Sequence, residues 1–287
     1  MSFCGFDFGT SNSAIGIAAG NSPMLVEFAG QHVIRSAVFV DVEDKKLAFG
    51  EVAVDDYLNG IPGRLIMALK SVLGSDLMDE NTYINGQWMP YRDVLGLLVK
   101  HIKDRADAAL GEELDHVVVG RPVRFSDDDD MRDAKAESCL REVAHSVGFK
   151  HVEFQYEPVA AARTFELGVT RPQICCVVDL GGGTADFSVI EIGKGRRAHD
   201  LSAGVHANHG VHIGGTDLDY RLSLASVMPS LGLGSTLRGS SGTHEMPTHY
   251  FHELSRWHRI FDMYRPDIRQ AVTELLGVTH EKGLVRR

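Results

Sequence analysis

The stretch that decides the fold is DLGGGTAD, at residues 179–186. An apolar run at residues 174–180 leads into it and another follows at residues 187–192, so the pattern predicts two strands joined by a Gly-rich turn. An acid at the end of a strand, then glycines, then a hydroxyl residue suits a phosphate and its metal. Glycine lets the backbone approach phosphate oxygens, while N–H groups and hydroxyls donate hydrogen bonds.

The same order occurs near the N-terminus, where the apolar residues 3–8 lead into GTSN at residues 9–12 and a second strand is predicted at residues 14–18. One such turn alone could be an ordinary hairpin with acidic ends. Two of them predict related lobes with a cleft between them, in which opposed turns clamp a nucleotide tail. The sequence contains no G-x-x-x-x-G-K-[ST] segment, which excludes a P-loop.

Composition narrows the class of protein. The 287 residues are 44% hydrophobic, which is too high for a disordered chain. With 29 basic and 39 acidic residues, the formal charge of −10 argues against nucleic acid or an anionic membrane as partner. No apolar run is long enough to cross a bilayer, and the four cysteines form no C-x-x-C pair. We therefore expect a cytoplasmic protein with reduced thiols.

Four further segments carry structural expectations. Residues 92–110 have apolar side chains at three- and four-residue spacings and predict an amphipathic helix that ends at Gly111. Residues 65–73 are apolar and compatible with a helix, and residues 126–147 predict another helix capped by Ser126. The Gly- and Ser-rich residues 231–242 predict a loop.

Two clusters allow a metal as an alternative. His206, His209 and His212 recur every third residue and could bind zinc, but paired cysteines are lacking and we favour surface histidines. The acidic run at residues 127–130 could suggest a cation site. We favour helix capping there, because acids in a first turn complement the helix dipole.

Five segments resemble the actin–Hsp70–sugar kinase superfamily, and they occur in the order found in Hsp70 proteins. They are GFDFGTSNS (residues 5–13), KSVLG (70–74), YEPVAA (156–161), VDLGGGTAD (178–186) and IGGTDLD (213–219). The third has Tyr156 and Val159 where the family pattern has Asn and Thr. These segments and VGRPV at residues 119–123 make the chain look closest to the YegD-type branch of Hsp70-like chaperones. The resemblance implies an α/β, actin-like ATPase (ribonuclease H-like) fold of two lobes.

The resemblance also implies roles for single residues. Asp7 and Asp179 would hold Mg²⁺ largely through its waters, and Lys70 would face the γ-phosphate and the attacking water. Four residues are the candidate catalytic groups: Lys70, Glu157, Thr184 and Asp186. Ten residues would line the nucleotide: Gly9, Thr10, Ser11, Asn12, Gly181, Gly182, Gly183, Thr184, Gly214 and Gly215. Two of these residues allow a purely structural interpretation: Lys70 could be a surface lysine, and Glu157 could cap a helix.

Lobe I is expected at residues 1–170 and lobe II at residues 171–287. Their expected parts are a lobe I core (1–39 and 113–170), an inserted subdomain (40–112), a lobe II core (171–222) and the start of a second insertion (223–287). The family's later Gly-Gly-Ser segment, interdomain linker and peptide-binding β-domain have no match here. We therefore expect a truncated lobe II and weak nucleotide affinity in this chain.

The function implied by the resemblance is that of an Hsp70-like chaperone ATPase. The full-length parent would bind ATP or ADP with Mg²⁺ and hydrolyse ATP slowly to switch lobe closure, while its clients and co-chaperones cannot be named from the sequence. One alternative is a small-molecule kinase of the same superfamily, although we identify no catalytic base for it. Another is a non-hydrolysing, actin-like scaffold or interaction protein.

Overall fold

The computed structural model describes residues 3–19, 22–126, 129–166, 168–193, 204–239, 242–256 and 270–271. The chain divides into two compact units, Met1–Gly214 and Gly215–Arg287. Strands and helices are mixed along the chain, which confirms the predicted α/β class. No helix in the described ranges combines the length and the apolar character needed to cross a membrane.

The described residues form sixteen strands and six α-helices. The strands are β1 (Phe3–Phe8), β2 (Asn12–Ala19), β3 (Ser22–Leu25), β4 (Ile34–Arg35), β5 (Ala37–Asp41), β6 (Leu47–Phe49), β7 (Gly63–Met67), β8 (Asn81–Ile84), β9 (Gln87–Pro90), β10 (His116–Arg121), β11 (His151–Tyr156), β12 (Gln173–Leu180), β13 (Ala185–Ile192), β14 (Val205–Val211), β15 (Thr236–Gly239) and β16 (Gly242–Glu245). The helices are α1 (Glu51–Leu58), α2 (Tyr91–Leu110), α3 (Asp130–Ser146), α4 (Glu157–Glu166), α5 (Gly215–Leu222) and α6 (His249–Leu254).

The main sheet of the first unit has the order β11-β10-β1-β2-β3, and β4 also pairs with β2. β10 lies parallel to β1 and β11, whereas β1, β2 and β3 run antiparallel. Along β1, Cys4, Phe6 and Phe8 are buried while the residues between them are exposed. This alternation arises because successive side chains of a strand point to opposite faces. One face of β1 therefore enters the core, and the other is free to carry Asp7.

Helix α2 covers the buried face of this sheet and contacts β2. Its buried residues include Val94, Leu95, Leu98 and Ile102, at the spacings that the sequence predicts for residues 92–110. Burying each such side chain contributes about 1.5–3 kcal/mol to folding. The helix ends at Gly111, whose φ of 79° is the left-handed conformation that glycine adopts without steric cost.

A second sheet of the first unit has the antiparallel order β12-β13-β14. Helix α4 packs against β12 and β13 and closes a small core. Five buried apolar residues form that core: Val159, Ala162, Val169, Ile190 and Ile192. The predicted repeat of strand, Gly-rich turn and strand is thus present in both sheets, as β1–β2 and as β12–β13.

The helix predicted at residues 65–73 is wrong. Residues 63–67 form β7 and pair with β5, and a 3₁₀ helix follows at Leu69–Val72. Ala68 lies between them with a left-handed φ of 53°, which an α-helix cannot contain. Pairing with a buried strand has overridden a weak local preference for helix.

Two other local predictions need correction. Helix α3 begins at Asp130 rather than at residue 126, and its cap is Asp129, whose carboxylate accepts the Arg132 N–H at 2.9 Å. Of the acidic run, Asp127 and Asp128 lie outside the described residues. The predicted loop at residues 231–242 contains β15, which pairs with β16 as a hairpin.

The second unit begins with α5. A π-helical turn (Ser223–Val227) and a 3₁₀ helix (Met228–Leu231) follow it. The Tyr220 hydroxyl and Nδ1 of His252 in α6 are 2.6 Å apart, and the Arg256 guanidinium lies 5.0 Å from the centre of the Tyr220 ring. Much of the expected insertion at residues 223–287 falls on residues 257–269 and 272–287, which lie outside the described residues.

The segment after β7 yields a prediction about stability. Gly74 has a φ of 73°, and a Cβ there would lie 2.3 Å from the Arg132 carbonyl oxygen of α3. Gly60 has nearly the same φ, 74°, but open space around it. Gly60→Ala should therefore cost about 1 kcal/mol of unfolding free energy, from backbone strain alone. Gly74→Ala should cost about 1–3 kcal/mol more, because α3 must shift. Urea unfolding measures both, and equal losses would contradict the packing argument.

Candidate functional site

The first Gly-containing turn joins β1 to β2 and is braced by serines. The Ser36 hydroxyl donates to the Gly9 carbonyl at 2.8 Å and lies 2.9 Å from the Ser13 hydroxyl. The Ser36 N–H donates to the Ser11 carbonyl at 2.9 Å. A Cβ on Gly9 would lie 2.2 Å from the Asn12 carbonyl oxygen, so the turn closes only with glycine there.

The second turn joins β12 to β13, with Asp179 directly opposite Asp186. It is closed by the Gly181 N–H, which donates to the Thr184 carbonyl at 2.8 Å. A Cβ on Gly182 would lie 2.6 Å from the Ser11 hydroxyl oxygen. The two turns are therefore in contact, at the point where each strand pair reverses direction.

Gly183 and Gly214 complete this contact from the side of the second turn. A Cβ on Gly183 would lie 3.0 Å from the Thr10 hydroxyl oxygen, and one on Gly214 would lie 2.5 Å from the Gly183 nitrogen. Gly214 therefore packs on the backbone of the second turn. Gly215 is the first residue of α5 in the second unit.

A buried ion pair lies beside the turns. The Lys70 ammonium is 2.6 Å from the Glu157 carboxylate, and the two side chains are only 7% and 18% exposed. Lys70 is carried by the 3₁₀ helix after β7, and Glu157 is the first residue of α4, directly after β11. The alternative interpretation of Lys70 as a surface lysine is therefore wrong, because its side chain is buried.

Two further carboxylates, those of Asp7 and Asp179, act electrostatically on this ion pair. Burial raises the pKa of Glu157; Lys70 opposes this shift, while Asp7 and Asp179 add to it. Asp7 is exposed on the outer face of β1 but lines the cavity, and the loss of water around its carboxyl raises its pKa; Lys70 opposes this rise and Asp179 adds to it. Three acids facing one ammonium leave an excess of negative charge when all are ionised.

Asp186 has a different environment. It is 1% exposed, and its carboxylate accepts the backbone N–H of Val123 at 2.9 Å. Burial and the charge of Asp179 raise the pKa of Asp186, while the hydrogen bonds from Val123 and from the Thr184 side chain and the charge of Lys70 lower it. This carboxylate is already engaged by the protein itself.

The turns and the ion pair border a cavity of about 820 Å³ in the first unit. Eleven of the residues singled out from the sequence line it: Asp7, Gly9, Thr10, Ser11, Asn12, Lys70, Glu157, Asp179, Gly181, Gly182 and Thr184. Gly183, Asp186, Gly214 and Gly215 do not line it. Across the described part of the chain, no three His, Cys, Asp or Glu side chains gather as a metal site of their own.

Comparison with known families agrees with this architecture. The family model described as Hsp70 protein matches residues 3–227, which is 225 of the 287 residues. The chain belongs to the Hsp70 family. Membership confirms the predicted actin-like ATPase fold and makes the matched part an Hsp70-like nucleotide-binding ATPase domain. In this Hsp70-family chain, the matched range contains both Gly turns, the Lys70–Glu157 pair and Gly214.

Several residues of the site were not found from the sequence. The side chains of Ser13 and Ser36 stabilise the first turn, and the Val123 N–H donates to the Asp186 carboxylate. Gly120 of β10 leaves room for Glu157, whose Cγ would lie 3.3 Å from an added Cβ. A signal for Gly120 was present, because a glycine inside an apolar strand often marks a close approach. The sequence carries no such signal for Ser36, since Ser36 lies 25 residues beyond Ser11 in the chain.

The raised pKa of Asp7 gives a prediction for stability against pH. The folded protein keeps this proton to higher pH than the unfolded chain, so the resulting stability is present at acidic pH. It is lost as the pH rises from about 4, the ordinary carboxyl value, through the raised pKa. Asp7→Asn removes this titration. The unfolding free energy of the variant should therefore increase relative to that of the wild type between pH 4 and pH 7.

Asp115 is the matched control for that experiment. A hydrogen bond with His116 lowers the pKa of Asp115, so the stability it contributes is present at neutral pH and lost in acid. The unfolding free energy of Asp115→Asn should therefore decrease relative to that of the wild type as the pH rises. Urea titrations at several pH values compare the two variants. A difference between Asp7→Asn and the wild type that stays constant with pH would refute the assignment.

Proposed function

We propose that the protein binds ATP or ADP with Mg²⁺ in the cavity of the first unit and hydrolyses ATP slowly. The observation that carries this proposal is the contact between the two Gly turns at the wall of that cavity, beside the Lys70–Glu157 pair. Backbone approach without side chains is the arrangement that phosphate oxygens need.

The phosphates would lie against the two turns. Thr10 and Ser11 line the cavity and offer hydroxyl donors, and the glycines of both turns leave their backbone accessible. Hydrogen bonds to charged oxygens are about twice as strong as neutral ones. The turns would therefore hold the phosphate tail more firmly than the rest of the nucleotide.

Asp7 and Asp179 would hold Mg²⁺. The donor set fits this ion, since Mg²⁺ keeps several waters and binds through one or two carboxylates together with substrate phosphates. Burial and the charge of Asp179 raise the pKa of Asp7, although Lys70 opposes the rise. This excess of negative charge supports the fit. When bound, the ion would neutralise phosphate charge.

Lys70 and Glu157 would act on the reacting end of the nucleotide. The ammonium would stabilise charge that develops on the terminal phosphate, and the carboxylate would orient water. Their mutual contact fixes both side chains before a ligand arrives. The Thr184 hydroxyl lines the cavity and would help to orient water, whereas the Asp186 carboxylate does not line it.

We further propose a chaperone-type role and a place near the YegD-type branch of the Hsp70 family. The support is the sequence at residues 119–123, 154–161 and 213–219, which carries the resemblance to that branch. A cytoplasmic location stays a prediction from composition. Clients and co-chaperones would have to be found by capture experiments in the presence of nucleotide.

Thermal unfolding with nucleotide tests the binding proposal. A ligand at 100 times its Kd stabilises the folded state by about 2.7 kcal/mol, so ATP with Mg²⁺ should raise Tm by several degrees. ATP with EDTA should raise it less, because the metal-linked contacts are lost. Asp7→Asn should make the two conditions alike. If millimolar ATP with Mg²⁺ leaves the wild-type Tm unchanged, the binding proposal fails.

Lys70→Met tests the role of the ammonium in hydrolysis. Removing a group that stabilises developing charge should lower the ATPase rate of the full-length protein about 10²–10³-fold, with a smaller loss of ATP affinity. Lys100→Met is the control, since Lys100 is an exposed lysine that pairs with Asp104 on α2. Equal rates for Lys70→Met and wild type would argue against the role. ATP use that requires an added metabolite would instead favour the kinase alternative.

A further inference from the structure

The buried carboxylate of Asp186 joins two parts of the first unit. Asp186 lies on β13, directly opposite Asp179 on β12 and Gly210 on β14. Its partner, the backbone N–H of Val123, lies 2.9 Å away, two residues beyond the end of β10. β10 pairs in parallel with β1, the strand that carries Asp7. The bond thus connects the sheet of Asp7 to the sheet of Asp179.

Gly210 keeps space for this connection. A Cβ on Gly210 would lie 2.6 Å from the Asp186 carboxylate oxygen and 3.5 Å from the backbone nitrogen of Arg124. Any larger residue would displace either the carboxylate or the segment after β10. The strand pair β13–β14 is therefore shaped to receive that segment at one point, through a charged acceptor that is 1% exposed.

We propose that Asp186 is a positioning residue, which fixes Asp179 relative to Asp7 by holding the β12–β13 hairpin on the backbone after β10. This inference rests on the proposed function, because it concerns the two carboxylates that would hold Mg²⁺. It departs from the proton- or water-organising role that the resemblance implies for Asp186. The carboxylate does not line the cavity, and Val123 and Thr184 already donate to it.

Two substitutions separate the two roles. Asp186→Asn removes the charge but keeps a side-chain oxygen that can accept from Val123, whereas Asp186→Ala removes the acceptor. A positioning role requires the oxygen and not the charge. Asp186→Asn should therefore keep the Mg²⁺-dependent gain in ATP affinity within about 3-fold of wild type, and Asp186→Ala should lose about 10-fold or more.

Gly210→Ala provides an independent variant. It leaves Asp186 in the sequence but places a methyl group against its carboxylate, so it should reproduce the loss seen with Asp186→Ala. Gly96→Ala is the control, because Gly96 lies on α2 and its nearest atom to an added Cβ is 3.9 Å away. It should behave as the wild type in every assay.

The measurements are calorimetric ATP affinity with Mg²⁺ and with EDTA, ATPase rate of the full-length protein, and amide exchange at Val123. Asp186→Ala should exchange the Val123 amide at least 10-fold faster than Asp186→Asn. An Asp186→Asn variant that binds as wild type but hydrolyses as poorly as Asp186→Ala would overturn the proposal in favour of proton transfer. Wild-type affinity and exchange in Asp186→Ala would also overturn it. If the wild type binds no nucleotide, the proposed function fails, and the exchange rates alone still decide whether Asp186 holds the segment.

Discussion

Contact between the two turns requires that Gly182 and Gly183 carry no side chain, since a Cβ at either position would approach the hydroxyls of Ser11 and Thr10 to 2.6–3.0 Å. The candidate site of the first unit lies around that contact. β1 and β12 each carry an aspartate as the next-to-last residue before the turn, and Asp7 and Asp179 lie within electrostatic reach of each other. A constraint on backbone packing thereby becomes a constraint on charge.

The charge arrangement is unfavourable for the protein by itself. Burial disfavours the ionised forms of Asp7 and Glu157, and Lys70 offsets only part of this effect. Such a group of acids is retained at a cost in stability, which large cores can supply. The cluster packed around α2 and the main sheet is extensive, whereas the core under the second sheet has five buried residues. Most of the buried apolar side chains in the described part of the first unit therefore lie in the cluster around α2 and the main sheet.

The sequence was sufficient for the class of fold and for the two Gly-containing turns at the cavity wall, because the repeated strand–turn–strand pattern is local. It was insufficient for the segment around Lys70. Residues 65–73 read as helix, yet pairing of β7 with β5 and the left-handed Ala68 decide their conformation. These are contacts between residues far apart in the chain, and no periodicity records them. The brace from Ser36 was missed for the same reason. The Lys70–Glu157 pair spans 87 positions, and only the resemblance to a family placed both residues in one site.

Asp179 and Asp186 show how an antiparallel pair can divide its acids between two tasks. They lie directly opposite each other, so sequence and register alone give them the same position on the sheet. What differs is the neighbour: the backbone after β10 covers Asp186 and donates to it, while Asp179 faces the cavity. The Asp186 carboxylate accepts hydrogen bonds from the Val123 N–H and the Thr184 side chain, and it does not line the cavity. Asp179 lines the cavity together with Asp7 and Glu157, and its charge raises the pKa of both of these carboxyls. The motif DLGGGTAD therefore places one acid in a hydrogen bond with the protein backbone and the other at the wall of the cavity.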